Sequence, residues 1–238
     1  MNEPKSEVIS AKYITAETDH MAYQPGMDNI GSEIQDEVIS RMNAYDAERY
    51  TAADVQRALN RDVLQPEDFA ALLSPAAAPF LEQMAQRAQM ETRKHFGNSV
   101  QMFTPLYIAN YCENYCVYCG FNCHNKIRRA KLDMDEIEQE LQAIAATGLQ
   151  EILLLTGESR TMSPVEYIGE AVKLARQYFR VIGIEIYPLN VNEYAYLHEC
   201  GVDYVTVFQE TYDADKYQTL HLGGHKRIFP YRLNEVGS

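Results

Sequence analysis

The residues with most chemistry in this chain are three cysteines, Cys112, Cys116 and Cys119, spaced C-x3-C-x2-C. Thiolates are soft ligands that suit an iron–sulfur cluster and zinc alike. A tetrahedral zinc site requires a fourth donor, and Cys123 and His124 stand close at hand. Three thiolates on a four-iron cluster instead leave one iron open to a further ligand, which is a catalytic arrangement. Spacing leaves both readings open, and the position of the motif at the end of a predicted strand favours the open cluster. Of the five cysteines, four crowd between Cys112 and Cys123 and Cys200 stands alone, which suits metal binding in a reducing compartment better than a disulfide framework.

Further candidate groups lie downstream at equivalent places. Thr156-Gly157-Glu158 closes a second predicted strand, where a glycine permits close backbone approach and a carboxylate can grip an ammonium group. Glu185 interrupts the apolar run from Val181 to Leu189 and requires a polar partner inside the fold. Gln209-Glu210-Thr211-Tyr212 follows a fourth strand, so these side chains are candidates to line a substrate site.

The elements that would position these groups can be read from periodicity. Residues 1–30 show no period and carry Pro4, Pro25 and Gly26, with Gly31 just beyond, an irregular arm. Residues 31–99 read as a helical region: Ile34, Val38, Ile39 and Met42 form one stripe, Thr51 and Asp54 a capping box, and a third helix runs from Ser74-Pro75 to a stop at Gly97. From residue 100 to 238, strands at Gln101–Ile108, Glu151–Leu155, Val181–Tyr187 and Tyr204–Phe208 alternate with helices at Ile137–Ala146, Pro164–Tyr178 and Glu193–Cys200. That beat predicts an α/β fold of about four βα units around a parallel sheet. A closed barrel requires eight strands, so the expectation is an open sheet or a partial barrel with two edges to cover.

Composition narrows the partners. Thirty-four acidic against 21 basic residues give a net charge of −13, unfavourable for a phosphate backbone, so nucleic acid is not expected. The first thirty residues contain no apolar signal core and no eighteen apolar residues run together, so the reading is no membrane span and a cytoplasmic protein.

With Tyr118 in the aromatic slot, the cysteine motif resembles the signature of the radical S-adenosylmethionine (SAM) enzymes. The resemblance implies a TIM-type barrel fold, a 4Fe-4S cluster on Cys112, Cys116 and Cys119, and SAM chelated by the open iron. It also implies a Tyr118 backbone facing adenine, Gly157 and Glu158 at the methionine ammonium, and Glu185 at the ribose. Phe103 to Phe121, Phe208 to Tyr212, the lead-in from Asp54 to Gly97 and the tail near Gly224 to Leu233 are similar to the 2-iminoacetate synthase family of thiamine biosynthesis. That likeness implies a lyase in which a 5′-deoxyadenosyl radical removes hydrogen from the amino group of L-tyrosine. The Cα–Cβ bond then breaks, giving 2-iminoacetate (dehydroglycine) and p-cresol. It further implies thiazole synthase as partner and flavodoxin or ferredoxin as electron donor, with Gln209, Glu210 and Tyr212 near substrate. His221, His225 and Arg232 resemble the basic segment that follows in the family, although a solvated loop explains them equally well. Against the family pattern the chain stops early, at Ser238, so a shortened barrel is expected. Three other readings stand beside this one: the related tyrosine lyase of hydrogenase maturation, a non-catalytic module holding metal on its cysteines, and a half-enzyme completed by a second polypeptide.

Overall fold

The computed structural model describes residues 34–234. The chain divides into two compact units, Ser40–Gln101 and one that contains the residues from Met102 onward. The irregular arm expected for residues 1–30 lies outside the described residues.

The helical unit is built from short, well-capped helices. Helix α1 (Ile34–Ala44) leads in, and α2 (Ala52–Leu59) opens on Thr51, whose backbone N–H donates to Asp54 Oδ2 at 2.9 Å, the expected capping box. Helix α3 (Pro66–Leu72), which periodicity missed, starts with the same device at Gln65 and Asp68 and has Pro66 in its first turn. The single helix expected from Ser74 to Gly97 is two elements: a 3-10 run at Pro75–Phe80, then α4 (Leu81–Phe96). Pro79 lacks the N–H that an α-helix needs there, so the α ladder starts only after it. Arg87 of α4 donates to the carbonyls of Leu59 and Arg61 at 2.8 Å each, satisfying the last turn of α2 and the residues beyond it.

The second unit begins with β1 (Phe103–Ala109), followed by β2 (Tyr115–Cys116), α5 (Met134–Ala145), β3 (Glu151–Thr156) and α6 (Val165–Ala175). It continues with β4 (Val181–Glu185), α7 (Val191–Cys200), β5 (Tyr204–Val205), α8 (Ala214–Leu220), β6 (His221–Gly223) and α9 (Phe229–Asn234). Strands β1, β3, β4 and β5 form one parallel sheet in that order, so neighbours in sequence are neighbours in space, as in a barrel. The strand period of two separates the faces. Leu106, Ile108, Ile152, Leu154, Ile182 and Ile184 pack in one core with Ile137 and Leu141 of α5, Ile168 and Val172 of α6 and Leu197 of α7. Each such side chain taken fully out of water contributes about 1.5–3 kcal/mol. The alternate residues Tyr107, Leu155 and Glu185 face the other way, into the cleft described below.

Two strands are shorter than expected. Strand β4 stops at Glu185, whose pairing with Leu155 is the last between β3 and β4, and β5 pairs only with Gly183 and Ile184 of β4. A small antiparallel ladder joins β2 to β6, with Tyr115 opposite Gly223 and Cys116 opposite His221. At two or three residues and with an irregular register, it offers no periodicity to read.

Candidate active site at the carboxyl ends of the strands

The loop between β1 and α5 carries all three motif cysteines, and its own polar groups set its course. Arg129 donates to the carbonyls of Asn110 (2.7 Å), Phe121 (2.9 Å) and Asn122 (2.8 Å), drawing both ends of the loop to one guanidinium. Asn122, buried, donates through its side chain to the Cys116 carbonyl at 2.8 Å. Outside the loop, the Gly157 N–H donates to Ala109 O and the Glu113 N–H to Glu158 O, each at 3.0 Å, so the end of β3 is stitched to the start of the cysteine loop. Gly157 is required by space: a Cβ there would lie 2.2 Å from the Tyr111 carbonyl oxygen.

The result is one open cleft of about 150 Å³, lined by Cys112, Cys116, Cys119, Tyr118, Gly157, Glu158 and Glu185, with Thr156, Thr206 and Phe208 among its other walls. Every cluster and SAM residue expected from sequence therefore meets in the same cavity. Cys123 is not among the lining residues, and His124 stacks edge-on against Tyr115. Among the described residues no three His, Cys, Asp or Glu side chains converge tightly enough for a single metal ion. A cubane asks for something wider, because each thiolate binds a different iron.

Electrostatics around the cleft separate the roles of the groups. Burial pushes the Cys112 thiol up to about 11, with the Glu158 charge adding to the effect, and pushes Cys116 up to about 12. Such thiols keep their protons in apo protein and lose them on binding metal, so loading the site releases protons. Burial works against the Glu158 charge, but Arg232, Lys226 and the Asn114 amide outweigh it and hold the carboxyl below its ordinary range. Arg232 is buried and ion-paired with Glu158, while Asn114 Nδ2 donates to the other carboxylate oxygen at 2.7 Å. Burial raises the Glu185 carboxyl, a tendency that Lys226 opposes. The buried Thr156 hydroxyl has no hydrogen-bond partner among the described residues, and an orphan of that kind in a cleft wall suits a polar ligand. Three thiols at one end and carboxylates with an unsatisfied hydroxyl beside them fit a thiolate-held cluster and an amino-acid-bearing nucleoside.

The residues after β5 divide. Glu210 lies behind the cysteine loop, its carboxylate on Lys226 Nζ at 2.6 Å and near His221 Nε2 at 3.4 Å. Tyr212 is exposed, and Gln209 donates to Thr211 O at 3.3 Å while its buried carbonyl oxygen has no partner among the described residues; neither lines the cleft. Phe208, outside the expected set, does line it. The solvated-loop reading of the basic segment is overturned, because His221 and Arg232 are buried, at 0% and 2% exposure. Asn114 was missed, and as an unmarked position inside the motif it offers no type or spacing signal.

An open parallel sheet in barrel order, with three thiols and a Gly-Glu pair at its carboxyl ends, defines a metallocofactor-binding α/β protein of the barrel class. Residues 106–234 match the Radical SAM superfamily, and the chain belongs to that superfamily, whose cofactors are a 4Fe-4S cluster and SAM. It is 46% identical over 183 residues to 2-iminoacetate synthase of Escherichia coli (strain K12), covering 77% of this chain and 48% of that protein. It is 29% identical over 190 residues to 3-methylornithine synthase of Methanosarcina acetivorans, covering 78% and 53%. A crystal structure of HydG, a maturase of the FeFe-hydrogenase, superposes with a TM-score of 0.75 at 28% identity, covering 87% of this chain and 47% of that one. The chain spans about half the length of the relatives it matches. No helix among the described residues is long and apolar enough to cross a membrane.

Proposed function

We propose that this chain carries the cluster- and SAM-binding half of a radical SAM lyase that cleaves the Cα–Cβ bond of L-tyrosine to 2-iminoacetate and p-cresol. The observation that carries the reading is one cleft lined by Cys112, Cys116, Cys119, Gly157 and Glu158 in a chain 46% identical to 2-iminoacetate synthase. When bound, the cluster and SAM supply one-electron cleavage to a 5′-deoxyadenosyl radical. The protein's part is placement. Cys112, Cys116 and Cys119 hold the cluster, and Glu158, kept anionic by Arg232 and Asn114, takes the methionine ammonium beside Gly157. Glu185 serves the ribose and the Tyr118 backbone the adenine, while the aromatic pair Tyr107 and Phe121, 5.2 Å apart edge to face, screens the cavity. A low-potential flavodoxin or ferredoxin as donor, thiazole synthase as acceptor of 2-iminoacetate and a cytoplasmic, reducing location complete the proposal.

The test is anaerobic reconstitution with iron and sulfide, then electron paramagnetic resonance of the reduced protein with and without SAM, then product analysis with tyrosine. A reduced 4Fe-4S signal that shifts on adding SAM, with p-cresol formed, supports the reading; tightly bound zinc and no cluster overturns it. The likeness to HydG favours a second reading, a tyrosine lyase of hydrogenase maturation, and formation of carbon monoxide and cyanide in the same assay would select it.

A further inference from the structure

The cysteine loop is gripped from behind by a group that the proposed chemistry does not use. His221 is fully buried on β6, directly opposite Cys116 across the antiparallel ladder, and the Val117 N–H donates to Leu220 O at 3.0 Å. Its ring stacks on Tyr217 with centroids 3.9 Å apart, and its Nδ1 lies 2.9 Å from the Tyr217 carbonyl. A carbonyl can only accept, so Nδ1 carries a proton, and Nε2 is hydrogen-bonded to the Tyr118 hydroxyl at 2.8 Å. Tyr118 sits between Cys116 and Cys119 and turns its ring edge toward the imidazole, at 87°. Glu210, anchored by Lys226, lies 3.4 Å from the same nitrogen. A side chain that is half exposed at the cleft is thus tied at its tip to a side chain with no freedom of its own.

We propose that His221 is a positioning residue for the radical SAM loop: by taking the Tyr118 hydroxyl it fixes the backbone between the second and third cysteines, and so the place where the adenine end of SAM is received. The inference rests on the cofactor roles proposed above. The side chain of Tyr118 acts here as a tether and its backbone as the contact.

The experiment compares reconstituted wild type with Tyr118→Phe, His221→Gln, His221→Leu and the double variant Tyr118→Phe/His221→Leu, reading SAM affinity from the shift of the reduced cluster signal. Tyr118→Phe removes one hydroxyl from a half-exposed ring and leaves the fold intact. It is expected to keep full iron loading while binding SAM about tenfold more weakly, the order of one net hydrogen bond. His221→Gln, which keeps an acceptor near the Nε2 position, stays within about twofold of wild type, whereas His221→Leu matches Tyr118→Phe. The double variant is no weaker than either single change, because both break one link. In unloaded protein the same two variants speed alkylation of Cys119 several-fold, a readout that needs no cluster and still decides the matter if His221→Leu does not fold. SAM affinity in Tyr118→Phe within twofold of wild type, with unchanged Cys119 alkylation, overturns the inference, as do additive effects in the double variant. Failure of wild type to assemble a cluster would instead strike the proposed function, and the alkylation comparison would stand by itself.

Discussion

Replacing Gly157 by alanine tests whether the end of β3 and the cysteine loop are packed as tightly as the structure shows. The new Cβ would lie 2.2 Å from the Tyr111 carbonyl oxygen, 2.7 Å from its carbon and 3.2 Å from Cys112 Cβ. A carbon–oxygen contact wants about 3.3 Å or more, so the Tyr111–Cys112 backbone must retreat by about 1 Å. Hydrogen bonds from Gly157 N to Ala109 O and from Glu113 N to Glu158 O bracket the clash and resist that retreat. Overpacking costs about 1–3 kcal/mol, and backbone cannot swing aside as a flexible side chain does, so the top of that range applies: about 3 kcal/mol, roughly a hundredfold in the folding equilibrium. Gly148→Ala is the control. It sits in open space but at φ +88°, so it meets only the left-handed penalty, about 1–2 kcal/mol. Urea unfolding of both apo variants by circular dichroism gives the two numbers, and iron content after reconstitution reports whether Cys112 has moved. A Gly157→Ala protein within 1 kcal/mol of wild type, or one less perturbed than Gly148→Ala, would refute the packing argument.

Cys123→Ser should reconstitute to wild-type iron content, while Cys112→Ala, Cys116→Ala and Cys119→Ala each lose the cluster, as counted by iron and sulfide analysis; Cys123 is outside the cleft lining. Leu154→Ala, at 0% exposure in the centre of the sheet, should cost about 2–5 kcal/mol in urea unfolding, because the surrounding helices cannot collapse fully into the hole. Glu193 accepts two hydrogen bonds from Arg160, at 2.6 and 3.0 Å, and one from the Asn190 N–H at 2.8 Å. Burial opposes its charge, but these partners outweigh it and depress the carboxyl. A depressed carboxyl contributes stability above its unfolded pKa, about 4.3, and loses it as pH falls through the folded value. Wild type should therefore exceed Glu193→Gln by about 1–2 kcal/mol at pH 7, and the gap should close below about pH 4 in unfolding curves measured across pH.

What could be read in the sequence and what could not divides along a physical line. Local codes were legible: the Thr51–Asp54 capping box needs only neighbours in the chain, and the strands that became β1, β3 and β4 announce themselves by apolar runs long enough to show their period. The motif cysteines were legible because a metallocofactor demands a residue type as well as a spacing, and Gly157 and Glu158 because they end a strand where ligands bind. Asn114 and Lys226 were not. Asn114 links the Glu158 carboxylate to the Lys226 N–H, at 2.7 and 3.0 Å, across separations in sequence that no pattern spans. Such groups matter through a few hydrogen bonds each, with partners chosen by the fold, so nothing in their own neighbourhood marks them. His221 is the sharpest case: in the sequence a family segment and a solvated loop explain it equally well, yet the ladder between β2 and β6 buries it behind the second cysteine. The proposed cofactor site thus has two halves of different legibility, a front of candidate ligands written in residue type and a back of proposed positioning groups that the ladder between β2 and β6 places behind the loop. Substitutions behind the loop should consequently loosen SAM binding while leaving iron content intact, whereas substitutions of the cysteines in front abolish both.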